Sequence, residues 1–312
     1  MTTYAEAITE LTPAQQALLP GDADVAFYQE HGYYLSHKLF TDEEIDAAVA
    51  GSERFYAGER DAPPPNGHET RGWTPADGSD VLRKNDYASL RNRELSALVC
   101  KPILGAVAAR LRGAPLRLWH DQLLYKPVSQ AGQAINVGWH TDRQYWMTCA
   151  SDRMLTAWIP FHDSFEEMGT IMMIDGSHTW PDNAAGLDFF SNDLAGLEQR
   201  FRTGGKPVAR VPMNVPKGHV SFHHCLTIHG SGPNHGQGPR RAIAVHLQDE
   251  PNRYQAFRFP DGRLAAHNND VLCRQVDGRP DYTDPAICPR LWPRSSRLKP
   301  SSWEVVGSKR KR

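Results

Sequence analysis

From Leu116 onward the chain reads as a succession of short strands separated by turns, and that succession limits its fold more than any other feature. The candidate strands are Arg117–Tyr125, Gly138–Asp142, Thr156–His162, Thr170–Ile174, Val208–Pro212, His219–Phe222 and Ala242–Gln248. Several short strands in sequence favour a sandwich or barrel. The first third is helical instead. Val25–His31 is a short amphipathic helix stopped by Gly32, and Tyr33-Tyr34-Leu35 reads as a strand. Thr41-Asp42-Glu43-Glu44 is a capping box opening a helix with Ile45 and Val49 on its apolar stripe. Residues 93–112 are helical through Leu95, Leu98, Leu104, Val107 and Leu111, with a break near Pro102. Helices first and strands after predict a mainly β fold with flanking helices, a cupin-like jelly roll or double-stranded β-helix.

With 312 residues, 40% of them hydrophobic, there is material for one large core. No repeat or low-complexity linker divides the chain. We therefore expect one domain over 1–312, with helices over about 22–112, a jelly-roll core over about 116–250 and a C-terminal extension over about 251–312. Residues 57–80, rich in Gly, Pro and charge, form a long loop suited to a lid, with His68, Arg71 and Trp73 as polar and aromatic candidates. The net charge of −1 does not select nucleic acid or an anionic membrane as partner. The tail Lys309-Arg310-Lys311-Arg312 reads as a solvated end. Five scattered cysteines with no CxxC point to reduced thiols and a cytoplasmic protein. The start lacks a basic segment followed by an apolar run, and no apolar stretch nears the roughly 20 residues that span a bilayer.

Two islands carry chemistry. The first is Gly138-Trp139-His140-Thr141-Asp142. On a strand, residues i and i+2 share a face, so His140 and Asp142 present an imidazole and a carboxylate to one ion. Alone the pair is weak evidence, because a chain with 14 histidines contains His-x-Asp about once by chance. The second island runs from Lys217 to Asn234 and holds His219, His223, His224 and His229. Composition cannot choose among the four. His229 is favoured because the Gly-rich turn after it leads to Arg240 and Arg241, leaving the others to packing or to hydrogen bonds behind the ligands. Two imidazoles and one carboxylate form the facial triad of non-haem Fe(II) oxygenases, which keeps metal positions open. A guanidinium offers a planar fork for the distal carboxylate of 2-oxoglutarate. Arg240 and Arg241 are strand neighbours facing opposite ways, so only one of them serves.

These residues resemble the phytanoyl-CoA dioxygenase family of Fe(II)/2-oxoglutarate oxygenases. The likeness runs over roughly 22–248. It passes through Val25–Tyr33, Asp121-Gln122-Leu123-Leu124-Tyr125-Lys126-Pro127, His140-x-Asp142, Ala157-Trp158-Ile159-Pro160, His229–Asn234 and Arg240–Ala244. The resemblance implies a jelly roll with iron on His140, Asp142 and His229. The family's anchoring Arg follows the distal His by eleven residues, and 240 − 229 = 11 gives that role to Arg240. Ser231 matches a polar residue beside the same carboxylate, Trp158 an aromatic wall of the cosubstrate pocket, and Gln122 a cosubstrate-contact position. Arg83 and Lys84 compete for a further contact. The chain departs from the family pattern at Met168-Gly169, Asp175-Gly176-Ser177-His178 and Gly218-His219, which touches tuning and substrate contacts rather than the ligands.

The expected activity is hydroxylation of an unactivated C–H bond in a small polar metabolite or natural-product intermediate, such as a tailoring step of secondary metabolism. It uses Fe(II), 2-oxoglutarate and O₂, with ascorbate as auxiliary reductant, and releases succinate and CO₂. Asp142 disfavours halogenation. The same site also suits desaturation, cyclisation or epimerisation. From other classes, a zinc hydrolase would use the same ligands without the dicarboxylate pocket, and a silent binding module would need neither. Arg143, Gln144, Tyr145 and Trp146 are candidates to line the substrate pocket.

Overall fold

The structure is a computed structural model that describes residues 11–181, 184–202 and 208–292. The basic tail and the first ten residues lie outside it. The helices are α1 (Pro13–Gln16), α2 (Asp22–His31), α3 (Asp42–Tyr56), α4 (Arg93–Val99), α5 (Pro102–Arg112), α6 (Leu194–Arg202) and α7 (Asn268–Leu272). Gly32 ends α2 at φ +81°, a left-handed conformation that glycine adopts without a Cβ penalty. Thr41 and Glu44 form the expected reciprocal cap of α3. The break between α4 and α5 falls just before Pro102, which starts α5 where its missing N–H costs nothing.

The strands are β1 (Tyr33–Leu35), β2 (Arg83–Asp86), β3 (Leu116–Lys126), β4 (Val137–His140), β5 (Leu155–Pro160), β6 (Met172–Ile174), β7 (Arg210–Pro212), β8 (Ser221–His224), β9 (His229–Ser231), β10 (Arg240–Asp249), β11 (Gln275–Val276), β12 (Arg279–Pro280) and β13 (Arg290–Trp292). They build a large antiparallel sheet in the order β1-β8-β5-β10-β3-β13, with β2 also paired to β3, and a smaller sheet β4-β9-β6-β7. This is the jelly roll with flanking helices expected from the strand spacing. β2, β9, β11, β12 and β13 are strands that the sequence pattern did not reveal. The five cysteines are free, and all but Cys100 are buried.

Strand alternation divides the large sheet into two faces. Leu155, Ala157 and Ile159 of β5 and Ile243, Val245 and Leu247 of β10 join the main core, together with Ile45, Leu95, Leu104 and Val107 of the helices. The opposite face carries Thr156 and Trp158, and Arg240, Ala242, Ala244 and His246. On β3 the register steps from His246↔His120 to Leu247↔Leu118, leaving Trp119 as an extra residue. That bulge lets Leu118 and Leu123 reach the same core despite their odd separation. Beyond it, plain alternation puts His120, Gln122, Leu124 and Lys126 together on the inner face.

Candidate active site

The inner face is a grid set by register. Lys126 stands opposite Arg240, Leu124 opposite Ala242, Gln122 opposite Ala244 and His120 opposite His246. On the other side of β10, Ala244 faces Trp158 and His246 faces Thr156. Alanine at 242 and 244 therefore leaves a trough between larger neighbours. The small sheet closes over it. His140 and His229 are direct partners across the β4–β9 pair, with ring centroids 4.1 Å apart.

One local expectation needs correction. β4 ends at His140, and Asp142 opens a 3-10 turn over Asp142–Tyr145 rather than continuing the strand. Thr141 remains extended, at φ −114° and ψ 144°, so Asp142 still emerges on the side of His140. One ligand atom each from His140, Asp142 and His229 lies within 4.8 Å of the other two. Asp142 Oδ1 is 4.0 Å from His140 Nε2 and 3.6 Å from His229 Nε2.

The atoms behind the three side chains are already committed. His140 Nδ1 donates to the Gly138 carbonyl at 2.8 Å, and His229 Nδ1 to the Thr227 carbonyl at 3.0 Å. Both rings are thereby fixed with Nε2 as the lone-pair atom. Asp142 Oδ2 accepts from the Thr156 hydroxyl at 2.5 Å and from His223 Nε2 at 3.1 Å, which leaves Oδ1 for an ion. Burial pushes His140 and His229 toward the neutral form that ligates metal. Burial opposes ionisation of Asp142, but the facing His229, His246 and His223 rings outweigh it and hold the carboxyl well below its usual range. Two imidazole nitrogens and a carboxylate oxygen, buried and oriented from behind, are a donor set that fits a divalent first-row metal.

Next to this triad lies a pocket lined by Gln122, Trp158, Ile171, Ser231, Arg240 and Ala244, among others. All four residues expected at a cosubstrate site are thus in one place. Arg240 is 2% exposed and donates from Nη1 to the Gly169 carbonyl at 2.7 Å. Its guanidinium carbon sits 5.4 Å from the Trp158 ring centroid. Gly169 turns at φ +65°, and a Cβ there would meet the Gly232 carbonyl oxygen at 2.5 Å, so only glycine lets this turn lie against the strand. Arg241 points the other way, to an ion pair with Glu53 at 3.2 Å.

A second chamber of about 390 Å³ opens beside the triad, lined in part by Lys84, Asp86, His120, Tyr145, Trp146 and His267. Tyr145 and Trp146 line it as expected. Arg143 and Gln144 do not: Arg143 donates to the Trp146 and Cys149 carbonyls, and Gln144 to that of Leu187. His68, Arg71 and Trp73 of the 57–80 loop line an outer vestibule that shares Lys84 and Asp86 with the chamber. Sequence reasoning missed Thr156, His246 and Lys126. The first two lie two residues from Trp158 and Ala244 on their strands, and strand alternation was the available signal.

A family model described as Phytanoyl-CoA dioxygenase (PhyH) matches residues 28–242. The chain belongs to the phytanoyl-CoA dioxygenase family. It is 23% identical over 235 residues to the peroxisomal phytanoyl-CoA dioxygenase of Rattus norvegicus, covering 73% of this chain and 68% of that protein. It is 26% identical over 235 residues to the ectoine dioxygenase of Bordetella parapertussis, covering 70% and 72%. Among solved structures, the non-haem alpha-ketoglutarate-dependent carbocyclase SnoK from nogalamycin biosynthesis aligns at a TM-score of 0.60 with 27% identity, over 76% of this chain and 87% of that one. EctD from S. alaskensis, solved with 2-oxoglutarate and 5-hydroxyectoine, shares the fold at a TM-score of 0.59 and 20% identity, over 79% and 81%. No helix among the described residues is long and apolar enough to cross a membrane.

Proposed function

We propose that this chain, acting as one domain, is an Fe(II)/2-oxoglutarate-dependent dioxygenase that hydroxylates a C–H bond of a small polar metabolite or natural-product intermediate. His140, Asp142 and His229 are assigned to iron, and Gln122, Trp158, Ser231 and Arg240 to the cosubstrate. The observation that carries the reading is the triad lying beside a pocket that buries Arg240, which has no carboxylate partner among the described residues. A buried cation of this kind calls for an anion. Bound together, Fe(II) and 2-oxoglutarate supply oxidation of the substrate by O₂, coupled to decarboxylation of the cosubstrate to succinate and CO₂.

The protein's part is positional. The Gly138 and Thr227 carbonyls hold the two imidazoles, and Thr156 and His223 hold the carboxylate. Trp158 and Ile171 give the pocket apolar walls. The chamber walls set which C–H bond faces the metal. Aromatic rings, imidazoles and the Lys84–Asp86 ion pair at 2.8 Å favour a polar molecule over a bare lipid chain. Free, buried cysteines suit a reducing cytoplasm.

Anaerobic addition of Fe(II) and 2-oxoglutarate is expected to give a weak visible charge-transfer band, and a metabolite library screen to yield substrate-stimulated succinate. Asp142→Ala should abolish both. A protein that binds zinc but shows no such band would return the site to hydrolase chemistry. Ring closure is a second reading, favoured by the 27% identity to the carbocyclase SnoK, and product analysis separates it from hydroxylation.

A further inference from the structure

Lys126 and Arg240 are direct cross-strand partners on β3 and β10, and both are buried, at 0% and 2% exposure. Like charges directly opposite in a sheet repel. Among the described residues neither has a carboxylate partner. Burial and the neighbouring Arg240 push the Lys126 ammonium well below its usual range, and burial lowers Arg240 to about 10. Such an arrangement is costly unless an anion completes it.

The hydrogen bonds show how the two cations differ. Lys126 Nζ donates to Ser231 Oγ at 2.6 Å, to the Gly232 carbonyl at 2.6 Å and to the Ser231 carbonyl at 3.4 Å. As an ammonium, the form that an anion bound nearby favours, Lys126 has all three protons used and none left for a ligand. Ser231 Oγ accepts that proton and a longer one from Arg240 Nη1 at 3.4 Å. With its lone pairs so occupied, the Ser231 hydroxyl can only donate, and it lines the pocket beside Arg240.

We propose that Lys126 is a positioning residue for the cosubstrate: by holding Ser231 Oγ as an acceptor it turns the serine hydroxyl into an obligatory donor to the distal carboxylate of 2-oxoglutarate. This rests on the cosubstrate reading above. Selectivity for a dicarboxylate then comes from a relay, Lys126 to Ser231 to carboxylate, acting alongside Arg240. A neutral distal end leaves two buried cations unanswered and is rejected.

The test is calorimetric binding to the Mn(II)-loaded protein, using 2-oxoglutarate and 2-oxovalerate, which has a methyl in place of the distal carboxylate. Wild type is expected to favour 2-oxoglutarate by about 100-fold. Lys126→Met should lose about tenfold on 2-oxoglutarate and little on 2-oxovalerate, with Mn(II) affinity unchanged. Lys126→Met/Ser231→Ala should bind 2-oxoglutarate no more weakly than Ser231→Ala alone, because the lysine acts through the serine. Equal losses on both ligands, or none, overturn the proposal. If Lys126→Met does not fold, Ser231→Ala against Ser231→Thr decides, since only the threonine should retain selectivity. A wild type that binds no 2-oxoglutarate refutes the cosubstrate reading itself. One that binds it while the variants keep full selectivity refutes only the relay.

Discussion

Thr156 donates its hydroxyl proton to Asp142 Oδ2 at 2.5 Å and meets His246 Nδ1 on its other side at 2.7 Å. Since the hydroxyl proton goes to the carboxylate, the threonine oxygen accepts from the imidazole N–H. A chain of hydrogen bonds thus runs from the buried histidine through the threonine to the carboxylate assigned to the metal. Thr156→Val keeps the shape and removes the donor. Groups of this kind are worth about 10–100-fold in metal affinity. We expect a loss of that size for Fe(II) or Mn(II) by competitive chelator titration, with 2-oxoglutarate affinity at saturating metal little changed. Unaltered metal affinity would show that His223 alone suffices to orient Asp142.

The fold was legible because each local signal agreed with the whole: Gly32 stops α2, Thr41 and Glu44 cap α3, and the inward residues of β5 and β10 alternate in period two. The clustering of His140, Asp142 and His229, with Arg240 buried beside them, was legible through spacing and family resemblance. Lys126, Thr156 and His246 were not, because their roles come from cross-strand register. Lys126 meets Arg240 only because β3 pairs with β10 more than a hundred residues later in the chain. The extra residue at Trp119 shifts the facing of His120 relative to Leu118, which no uniform alternation reports.

Arg240 and Arg241 are neighbours with opposite fates, and substituting each separately tests the facing. Arg240→Ala removes a buried guanidinium from the pocket, a change that costs roughly 2–5 kcal/mol where a paired charge is lost on binding. We expect 2-oxoglutarate affinity to fall by at least 30-fold. Arg241→Ala breaks a partly exposed pair with Glu53 that contributes about 0–1 kcal/mol to stability, and should leave cosubstrate affinity unchanged. Comparable losses from both would contradict the register of β10.

Acid should weaken the metal-free protein through His267. This imidazole caps α7 by accepting from the Asn269 N–H at 3.2 Å, which requires a free lone pair. Burial, with smaller effects from His246 and Lys84, lowers it to about 3, against about 6.5 in an unfolded chain. The unfolded state therefore takes up the proton first. The stability contribution is complete above about pH 6.5 and is lost as pH falls toward 3. Urea unfolding at a series of pH values should show this slope. His267→Asn keeps a capping acceptor that does not titrate, and should lessen the slope by this residue's share, the other buried histidines such as His224 and His246 supplying the rest.

Ala244 tests the shape of the cosubstrate pocket. It sits between Gln122 on β3 and Trp158 on β5, and its small side chain is what leaves the trough between them open. Leucine at this position would place a branched side chain in the pocket proposed for the cosubstrate, while its backbone pairing stays intact. Overpacking of this kind costs typically 1–3 kcal/mol in stability. The triad belongs to β4, the turn after it and β9, so metal binding should survive. We expect Ala244→Leu to bind Mn(II) with wild-type affinity, to lose at least tenfold in 2-oxoglutarate affinity by calorimetry, and to unfold at a modestly lower temperature. Retention of full cosubstrate affinity would mean that 2-oxoglutarate lies elsewhere than between Trp158 and Gln122.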